Sequence, residues 1–175
     1  MEKESLGLGM VSGICFSTRK RVASVIVVQD ESGKPLVNGQ CGWGLPGGKI
    51  EEGESPADAL FREWKEEVGT EENIPIIDED SVIVIPRTGD EGPYKQYLIP
   101  VRLGSSPAPL RKTGCPGETG PPTWISLQDI TMGEIPVFWT HWEIIMYYWT
   151  RPLARYDKEA AFIATHLAKK LGIEL

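Results

Sequence analysis

The stretch Trp43–Thr70 constrains the fold more than any other part of the chain. It begins with a turn dense in glycine and continues into a segment whose apolar residues recur at helical spacing. Ser55 is a favourable N-cap, Pro56 suits the first helical position, and Asp58 completes a capping box. Gly69 suits the position that follows a helix end. The sequence therefore predicts a glycine turn that leads directly into a short, capped helix.

The predicted helix carries two contrasting faces. Its apolar stripe consists of Ala57, Leu60, Phe61, Trp64 and Val68. Beside that stripe, Glu63, Glu66 and Glu67 are spaced at i, i+3 and i+4, which places three like charges together. Each such pair costs roughly 0.2–0.5 kcal/mol, and carboxylates in the last turn also oppose the helix dipole. A hard divalent cation would relieve both conflicts, whereas a solvated acidic face beside Arg62 and Lys65 is the simpler interpretation of this spacing alone.

The residues around the acidic face extend the pattern well beyond three glutamates. In chain order they are Gly48, Glu54, Arg62, Glu63, Trp64, Glu66, Glu67 and Gly69. Their spacing resembles the signature of the Nudix (MutT-like) hydrolases, a family that cleaves nucleoside diphosphates linked to another group. The signature covers residues 48–70, and every charged and glycine position matches. Trp64 stands where a smaller aliphatic residue is common and Thr70 where an aliphatic residue is expected, and these departures concern packing and not chemistry.

The resemblance implies a metal-dependent enzyme that acts on phosphoric anhydride bonds. The ligands of Mg²⁺, or of Mn²⁺ in its place, are then Gly48 through its carbonyl, Glu63, Glu66 and Glu67. Arg62 and Glu54 support this cluster, with Glu54 paired to the guanidinium fork of Arg62. The alternative for Arg62 is an ordinary surface ion pair.

The general base that activates the attacking water is left open between two glutamates. Some Nudix enzymes use the glutamate that corresponds to Glu63, and others use one outside the signature, on a loop before a later strand. Glu118 matches the glutamate outside the signature, because it lies six residues before Trp124 in a glycine-rich segment. An exposed loop acid is an equally good interpretation of Glu118, and Glu91 is a weaker alternative for the base.

Residues 104–123 form a long stretch rich in glycine and proline, and such a loop in a compact domain is usually functional or mobile. Arg111 and Lys112 within it would steady substrate phosphates, unless they are simply solvated. His141 and His166 have no partner pattern and are interpreted as structural.

The substrate is less constrained than the reaction. Pro86 lies sixteen residues beyond the signature, a spacing associated with Nudix members that cleave ADP-ribose. The first hypothesis is therefore a nucleoside diphosphate linked to a sugar, of the ADP-ribose or nucleotide-sugar type, cleaved to a nucleoside monophosphate and a phosphorylated product. A modified nucleoside triphosphate is the alternative substrate. A nucleotide-sensing Nudix module that does not cleave its ligand is a further alternative, although such modules typically lose the signature carboxylates.

Composition limits the partners and the compartment. The chain has 175 residues and a net charge of −7, which fits one domain over residues 1–175 and disfavours binding to a nucleic-acid polymer. Its three cysteines are widely spaced and predict a reducing, cytoplasmic environment. No apolar run approaches the length of a transmembrane helix, so we expect no membrane contact. The expected partner is a small nucleotide-diphosphate substrate, and the expected state is a monomer or a homodimer.

The remaining pattern predicts an α/β (α+β) fold. Strands are predicted over residues 11–17, 22–28, 35–37, 81–87, 94–103 and 124–127. Residues 137–149 form an aromatic-rich segment that predicts a largely buried helix. Asp157 caps a last helix whose predicted apolar stripe is Ala160, Ile163, Ala164, Leu167, Ala168 and Leu171. The family resemblance implies a Nudix-type α/β/α sandwich with a mixed β-sheet.

Overall fold

The computed structural model describes residues 9–19, 22–30, 42–69, 75–89, 92–103, 110–115 and 117–173. The strands are β1 Gly9–Ile14, β2 Phe16–Arg19, β3 Val22–Gln29, β4 Trp43–Gly44, β5 Pro75–Ile77, β6 Ile83–Gly89, β7 Gly92–Leu103 and β8 Thr123–Ser126. The α-helices are α1 Pro56–Glu67, α2 Leu127–Thr131, α3 Trp139–Thr150 and α4 Lys158–Leu171. Short 3₁₀ turns cover Glu79–Ser81 and Leu153–Arg155.

Two sheets form the centre of the fold, and each is built on one long strand. In the first sheet β7 runs parallel to β1, with Val11 opposite Tyr97, and antiparallel to β5 and β6. In the second sheet β3 pairs antiparallel with β2, β4 and β8. The combination of parallel and antiparallel pairs confirms the predicted mixed sheet, and β3 confirms the predicted buried strand over residues 22–28.

Helices cover both faces of this β-structure. Because successive residues of a strand point to opposite faces, the β-branched run of β3 serves two cores. Ile26 and Val28 belong to the core beneath α1, together with Trp64. Val25 and Val27 belong to the opposite core, which is closed by α2, α3 and α4. The arrangement is the predicted α/β/α sandwich.

The capping residues define the helix ends as the sequence predicts. The Ser55 side chain accepts a hydrogen bond from the backbone of Asp58 at 3.1 Å, and the Asp58 carboxylate accepts one from the backbone of Ser55. At the start of α4, Asp157 accepts from the backbone of Ala160, and the helix ends where Gly172 takes a left-handed conformation with φ of 72°. Local hydrogen bonds and backbone conformation therefore define the start of α1 and both ends of α4.

Several strand boundaries differ from the prediction. Residues 11–17 form two strands and not one, because the chain leaves the first sheet at Cys15 and joins the second. The strand predicted from Ser81 begins at Ile83, since residues 79–81 form a 3₁₀ turn. The strand predicted over residues 35–37 lies outside the described residues.

The aromatic-rich helix begins at Trp139, two residues later than predicted. Val137 bridges to Trp43 and the backbone of Phe138 donates to the carbonyl of Trp43, so these residues pair with β4 and do not join the helix. In α3, Ile144, Ile145 and Tyr147 are buried in the core.

Three predicted core positions are more exposed than the apolar stripes suggest. Ile163 of α4 is 39% exposed, so its assignment to the buried stripe was wrong. Ala57 and Phe61 of α1 are only partly buried, whereas Leu60 and Trp64 are fully buried. Among the described helices, none has both the length and the apolar character required to cross a membrane.

Candidate active site

The glycine turn is joined to β1 by backbone hydrogen bonds. The backbone of Val11 donates to the carbonyl of Gly48 at 2.9 Å, and Gly13 donates to the carbonyl of Pro46 at 2.8 Å. Gly47 adopts φ of 147°, and a Cβ atom there would lie 2.0 Å from the carbonyl oxygen of Val11. Only glycine therefore allows the turn to approach β1 this closely.

The same turn lies against the acidic face of α1. A Cβ atom on Gly48 would lie 2.2 Å from Oε1 of Glu63, so the absence of a side chain makes room for this carboxylate. The Gly48 carbonyl already accepts one hydrogen bond, from Val11, and a carbonyl oxygen has a second lone pair available. The placement of Gly48 is compatible with its predicted role as a metal ligand.

Arg62 connects two of the predicted site carboxylates. Its Nε and Nη2 donate to the two oxygens of Glu54 at 2.9 and 3.0 Å, and its Nη1 donates to Oε1 of Glu63 at 2.8 Å. The hydrogen bonds from Arg62, followed by one from the backbone of Glu51, lower the pKa of Glu54 to about 2. The structure therefore contains the pairing of Glu54 with Arg62. This pairing orients Arg62, which in turn orients Glu63 through its own hydrogen bond.

Glu67 is a buried carboxylate, with only 6% of the residue exposed. Its Oε2 accepts a hydrogen bond from the backbone of Gly47 at 2.8 Å. Burial raises the pKa of Glu67 to about 8, the Gly47 hydrogen bond opposes that rise, and the charges of Glu63 and Glu118 add to it. Burial likewise raises the pKa of Glu63, against the influence of Arg62. The site therefore concentrates carboxylates in a place that strongly disfavours their charge.

These side chains line a cavity of about 340 Å³ that brings distant residues together. Glu118 lines it together with Glu63 and Glu67, although Glu118 lies about fifty residues further along the chain. The segment that carries Glu118 is attached to β3, because Gly120 donates to the carbonyl of Gln29 at 2.8 Å. The predicted base candidates Glu63 and Glu118 therefore share one cavity, whereas Glu91 lies outside the described residues.

The donor set of this cavity fits a hard divalent cation. Carboxylate oxygens and a backbone carbonyl are the ligands that Mg²⁺ and Mn²⁺ prefer, and a cation would offset the cost of the buried charges. In the part of the chain that the structure describes, no three acidic, His or Cys side chains lie close enough together to hold a metal ion by themselves. The predicted ligand Glu66 is not among the residues that line the cavity. Its side chain is 50% exposed, and its Oε2 lies 3.8 Å from Nη1 of Arg62.

Arg111 is attached to the end of α1. Its Nη1 donates to the carbonyls of Lys65 and Glu66, and its backbone donates to the carbonyl of Val68 at 3.1 Å. These carbonyls belong to the last turn, which lacks intrahelical partners and attracts positive charge. The contacts favour a structural role for Arg111 over the predicted contact with phosphates, and Lys112 is exposed.

His141, which the sequence placed among structural residues, borders the cavity. Its Nδ1 accepts a hydrogen bond from the backbone of Leu45 at 2.8 Å, and its ring meets Phe138 edge to face at 6.0 Å. Desolvation, together with the positive charge of Arg87, lowers the pKa of His141 to about 4. No sequence signal marks these neighbours, because Leu45 and His141 lie 96 positions apart.

Comparison with known families identifies the arrangement. The model of the NUDIX domain family matches residues 12–148, which is more than half of the chain. The chain belongs to the Nudix family. It is a Nudix hydrolase, an enzyme that acts on phosphoric anhydride bonds. No curated protein sequence matches it.

Several solved structures share its fold at low sequence identity. The NUDIX domain of Shewanella oneidensis NrtR, complexed with ADP ribose, is 20% identical, with a TM-score of 0.60 over 78% of this chain and 82% of that one. A Caenorhabditis elegans Ap4A hydrolase in a binary complex is 18% identical, with a TM-score of 0.61 over 85% and 99%. The Escherichia coli ORF135 protein is 20% identical, with a TM-score of 0.59 over 86% and 94%. These similarities concern the fold of the Nudix domain.

Proposed function

We propose that this Nudix hydrolase is a divalent-metal-dependent pyrophosphohydrolase that cleaves a nucleoside diphosphate linked to a sugar. The products are a nucleoside monophosphate and a phosphorylated sugar. The observation that carries the proposal is the acidic cavity, in which Glu63, Glu67 and Glu118 meet beside the glycine turn. Such a concentration of partly desolvated carboxylates is unfavourable without a cation and is suited to binding one.

The ligands we assign to Mg²⁺, with Mn²⁺ as a substitute, are the Gly48 carbonyl, Glu63, Glu66 and Glu67. The chemistry supplied by such an ion is neutralisation of phosphate charge and activation of a water molecule. The chain itself orients the ligands, since Arg62 holds Glu63 and the backbone of Gly47 holds Glu67. Glu54 in turn holds Arg62 through two hydrogen bonds.

We assign the general base to Glu118, with Glu63 as the alternative. In hydrolysis the water oxygen forms a bond to phosphorus, the anhydride P–O bond breaks, and the water proton passes to a carboxylate. Oε1 of Glu63 already accepts a hydrogen bond from Arg62, and we also assign Glu63 to the metal, so its oxygens are less available to accept the water proton. Glu118 lines the same cavity from another segment and is exposed there.

The substrate class is inferred from sequence spacing, fold similarity and net charge. Pro86 has the spacing associated with members that cleave ADP-ribose, and the fold is similar to a domain complexed with ADP ribose and to an Ap4A hydrolase. A small nucleotide is also consistent with the net charge of −7, which disfavours polymers. We therefore propose ADP-ribose or a nucleotide sugar, with a modified nucleoside triphosphate as the second candidate.

The proposal treats residues 1–175 as a single domain with a functional loop at 104–123. It places the enzyme in the cytoplasm, as a monomer or a homodimer. Cys15 and Cys115 are free thiols, as expected in a reducing compartment.

A substrate panel tests the proposal. The protein is incubated with Mg²⁺ and ADP-ribose, GDP- and UDP-linked sugars, dinucleoside polyphosphates or modified triphosphates, and the products are separated by chromatography. We expect a nucleoside monophosphate from a diphosphate sugar, loss of turnover in EDTA, and recovery with Mg²⁺. Tight binding of one nucleotide without turnover of any would contradict the proposal and favour a sensing module.

A further inference from the structure

A second cavity, of about 510 Å³, shares the lining residue His141 with the acidic cavity. A ligand whose diphosphate occupies the acidic cavity would extend past His141 to reach the larger one. Strands β6 and β7 supply most of the wall of the larger cavity, and Met10 of β1 and Thr140 of α3 complete it. The volume is in the range of small-molecule binding sites.

One wall of this cavity holds a guanidinium in a fixed orientation. Nε of Arg87 donates to Oε1 of Gln96 at 3.0 Å, and Nε2 of Gln96 donates to Oγ of Ser12 at 3.0 Å. Gln96 and Ser12 are both buried, so this chain of hydrogen bonds orders Arg87 before any ligand arrives. Nη2 of Arg87 is buried and has no hydrogen-bond partner among the described residues. Arg87 itself lines the cavity, and because Nη2 has no partner in the described part of the chain, its guanidinium keeps hydrogen-bonding capacity for an acceptor on a ligand.

His141 adds a second donor. Its Nδ1 accepts a hydrogen bond from the backbone of Leu45, so in the neutral ring the proton lies on Nε2. No aspartate or glutamate is among the described residues that line the larger cavity. The chemistry of its polar groups is therefore dominated by donors, in contrast to the carboxylates of the adjoining cavity.

The other walls suit a flat ring. Met10, Pro86, Pro93 and Tyr94 present apolar or aromatic surface to the cavity. A bare phosphate would leave this surface without a partner, whereas the face of a nucleobase would cover it. The cavity thus combines apolar walls for a ring with donors for oxygen or nitrogen acceptors at the edge of the ring.

We propose that the larger cavity binds the base of the substrate and selects an oxo base, guanine or uracil, over adenine and cytosine. This inference rests on the proposed function, within which it favours a GDP- or UDP-linked sugar over ADP-ribose. Guanine presents O6 and N7 as adjacent acceptors and uracil presents O4, groups that an arginine binds well. Adenine and cytosine carry an amino group at the equivalent position, which would face the donors of Arg87 and His141.

Binding of nucleoside monophosphates tests this inference without any turnover. Metal-free protein in EDTA is titrated calorimetrically with GMP, UMP, AMP and CMP, and with ribose 5-phosphate as a probe that lacks a base. We expect GMP or UMP to bind at least tenfold more tightly than AMP and CMP. Equal or tighter binding of AMP, or binding of ribose 5-phosphate as tight as that of GMP and UMP, would overturn the inference.

Variants of Arg87 assign the preference to this side chain. Arg87→Leu should remove most of the preference for oxo bases, whereas Arg102→Leu should keep it, because Arg102 is exposed on the neighbouring strand β7 and does not line the cavity. If Arg87→Leu does not fold, Arg87→Lys keeps the charge and loses the planar fork, and it should still weaken the preference. An unchanged preference in a folded Arg87 variant would refute the assignment.

The two proposals fail in distinguishable ways. A preference for GMP or UMP in EDTA, together with no turnover of any diphosphate sugar in Mg²⁺, would refute the proposed reaction and support the cavity assignment. Turnover of ADP-ribose with no preference for oxo bases would refute the cavity assignment and support the reaction.

Discussion

Glu67 makes the metal-free protein dependent on pH in a direction that the structure specifies. Burial raises the pKa of this carboxyl from 4.5 to about 8, so the folded state disfavours its charged form. The stabilising contribution of protonated Glu67 is complete below pH 4.5 and is lost as the pH rises towards 8. At 1.36 kcal/mol for each pKa unit, the loss is on the order of 5 kcal/mol.

The measurement is the free energy of unfolding by urea in EDTA at several values between pH 4.5 and 8. We expect Glu67→Gln to be less sensitive to pH than the unchanged protein, because glutamine stays neutral and its oxygen can still accept the hydrogen bond from Gly47. The advantage of this variant should grow to several kcal/mol by pH 8, within the roughly 5 kcal/mol above. Glu66→Gln is the matched control, because this neighbouring side chain is 50% exposed.

The same experiment includes a test with the metal. If a divalent cation binds this cluster, Mg²⁺ at pH 8 should stabilise the unchanged protein, since a ligand that binds only the folded state adds to its stability. Glu67→Gln should gain less from Mg²⁺. Parallel pH curves for the unchanged protein and Glu67→Gln would refute the conclusion that the folded protein disfavours the charge on this carboxyl.

Four other variants, of which Lys112→Ala is a control, test individual residues. Gly47→Ala should destabilise the protein by at least about 1–3 kcal/mol, because its Cβ would lie 2.0 Å from the Val11 carbonyl oxygen, and urea unfolding measures this loss. Arg111→Ala should cost about 1 kcal/mol at the end of α1, while Lys112→Ala should change stability by less than about 0.5 kcal/mol, and equal effects would contradict the assigned contacts. Glu118→Gln should lower kcat by about 10²–10⁴-fold, and an unchanged kcat would transfer the role of base to Glu63.

Local features of the site could be predicted because their causes lie within one turn of chain. The capping box at Ser55, the helical start at Pro56 and the acidic face of α1 depend on neighbours three or four residues apart. The pairing of Glu54 with Arg62 follows from the same stretch, since only eight positions separate them. The start of α3 was misplaced because residues 137 and 138 pair with Trp43, a contact across nearly a hundred residues.

The burial of individual side chains was predicted less accurately than the helices themselves. Periodicity identified the apolar stripe of α4, but it could not show how far the neighbouring elements extend over that stripe. Leu167 is buried while Ile163, one turn earlier, is 39% exposed. Whether an apolar residue is covered depends on packing against distant segments, which hydrophobic spacing alone does not describe.

The sequence by itself determined the family, the α/β/α architecture and the cluster of carboxylates on α1, because the signature is contiguous and its functional residues lie only a few positions apart. Only the tertiary structure brought Glu118 to that cluster, turned Arg111 towards the helix end, and joined Arg87 and His141 in a second cavity. Strand pairing and helix packing create these contacts between segments that are far apart in the chain. The spacing of residues within one segment does not indicate which distant side chains will line the same cavity.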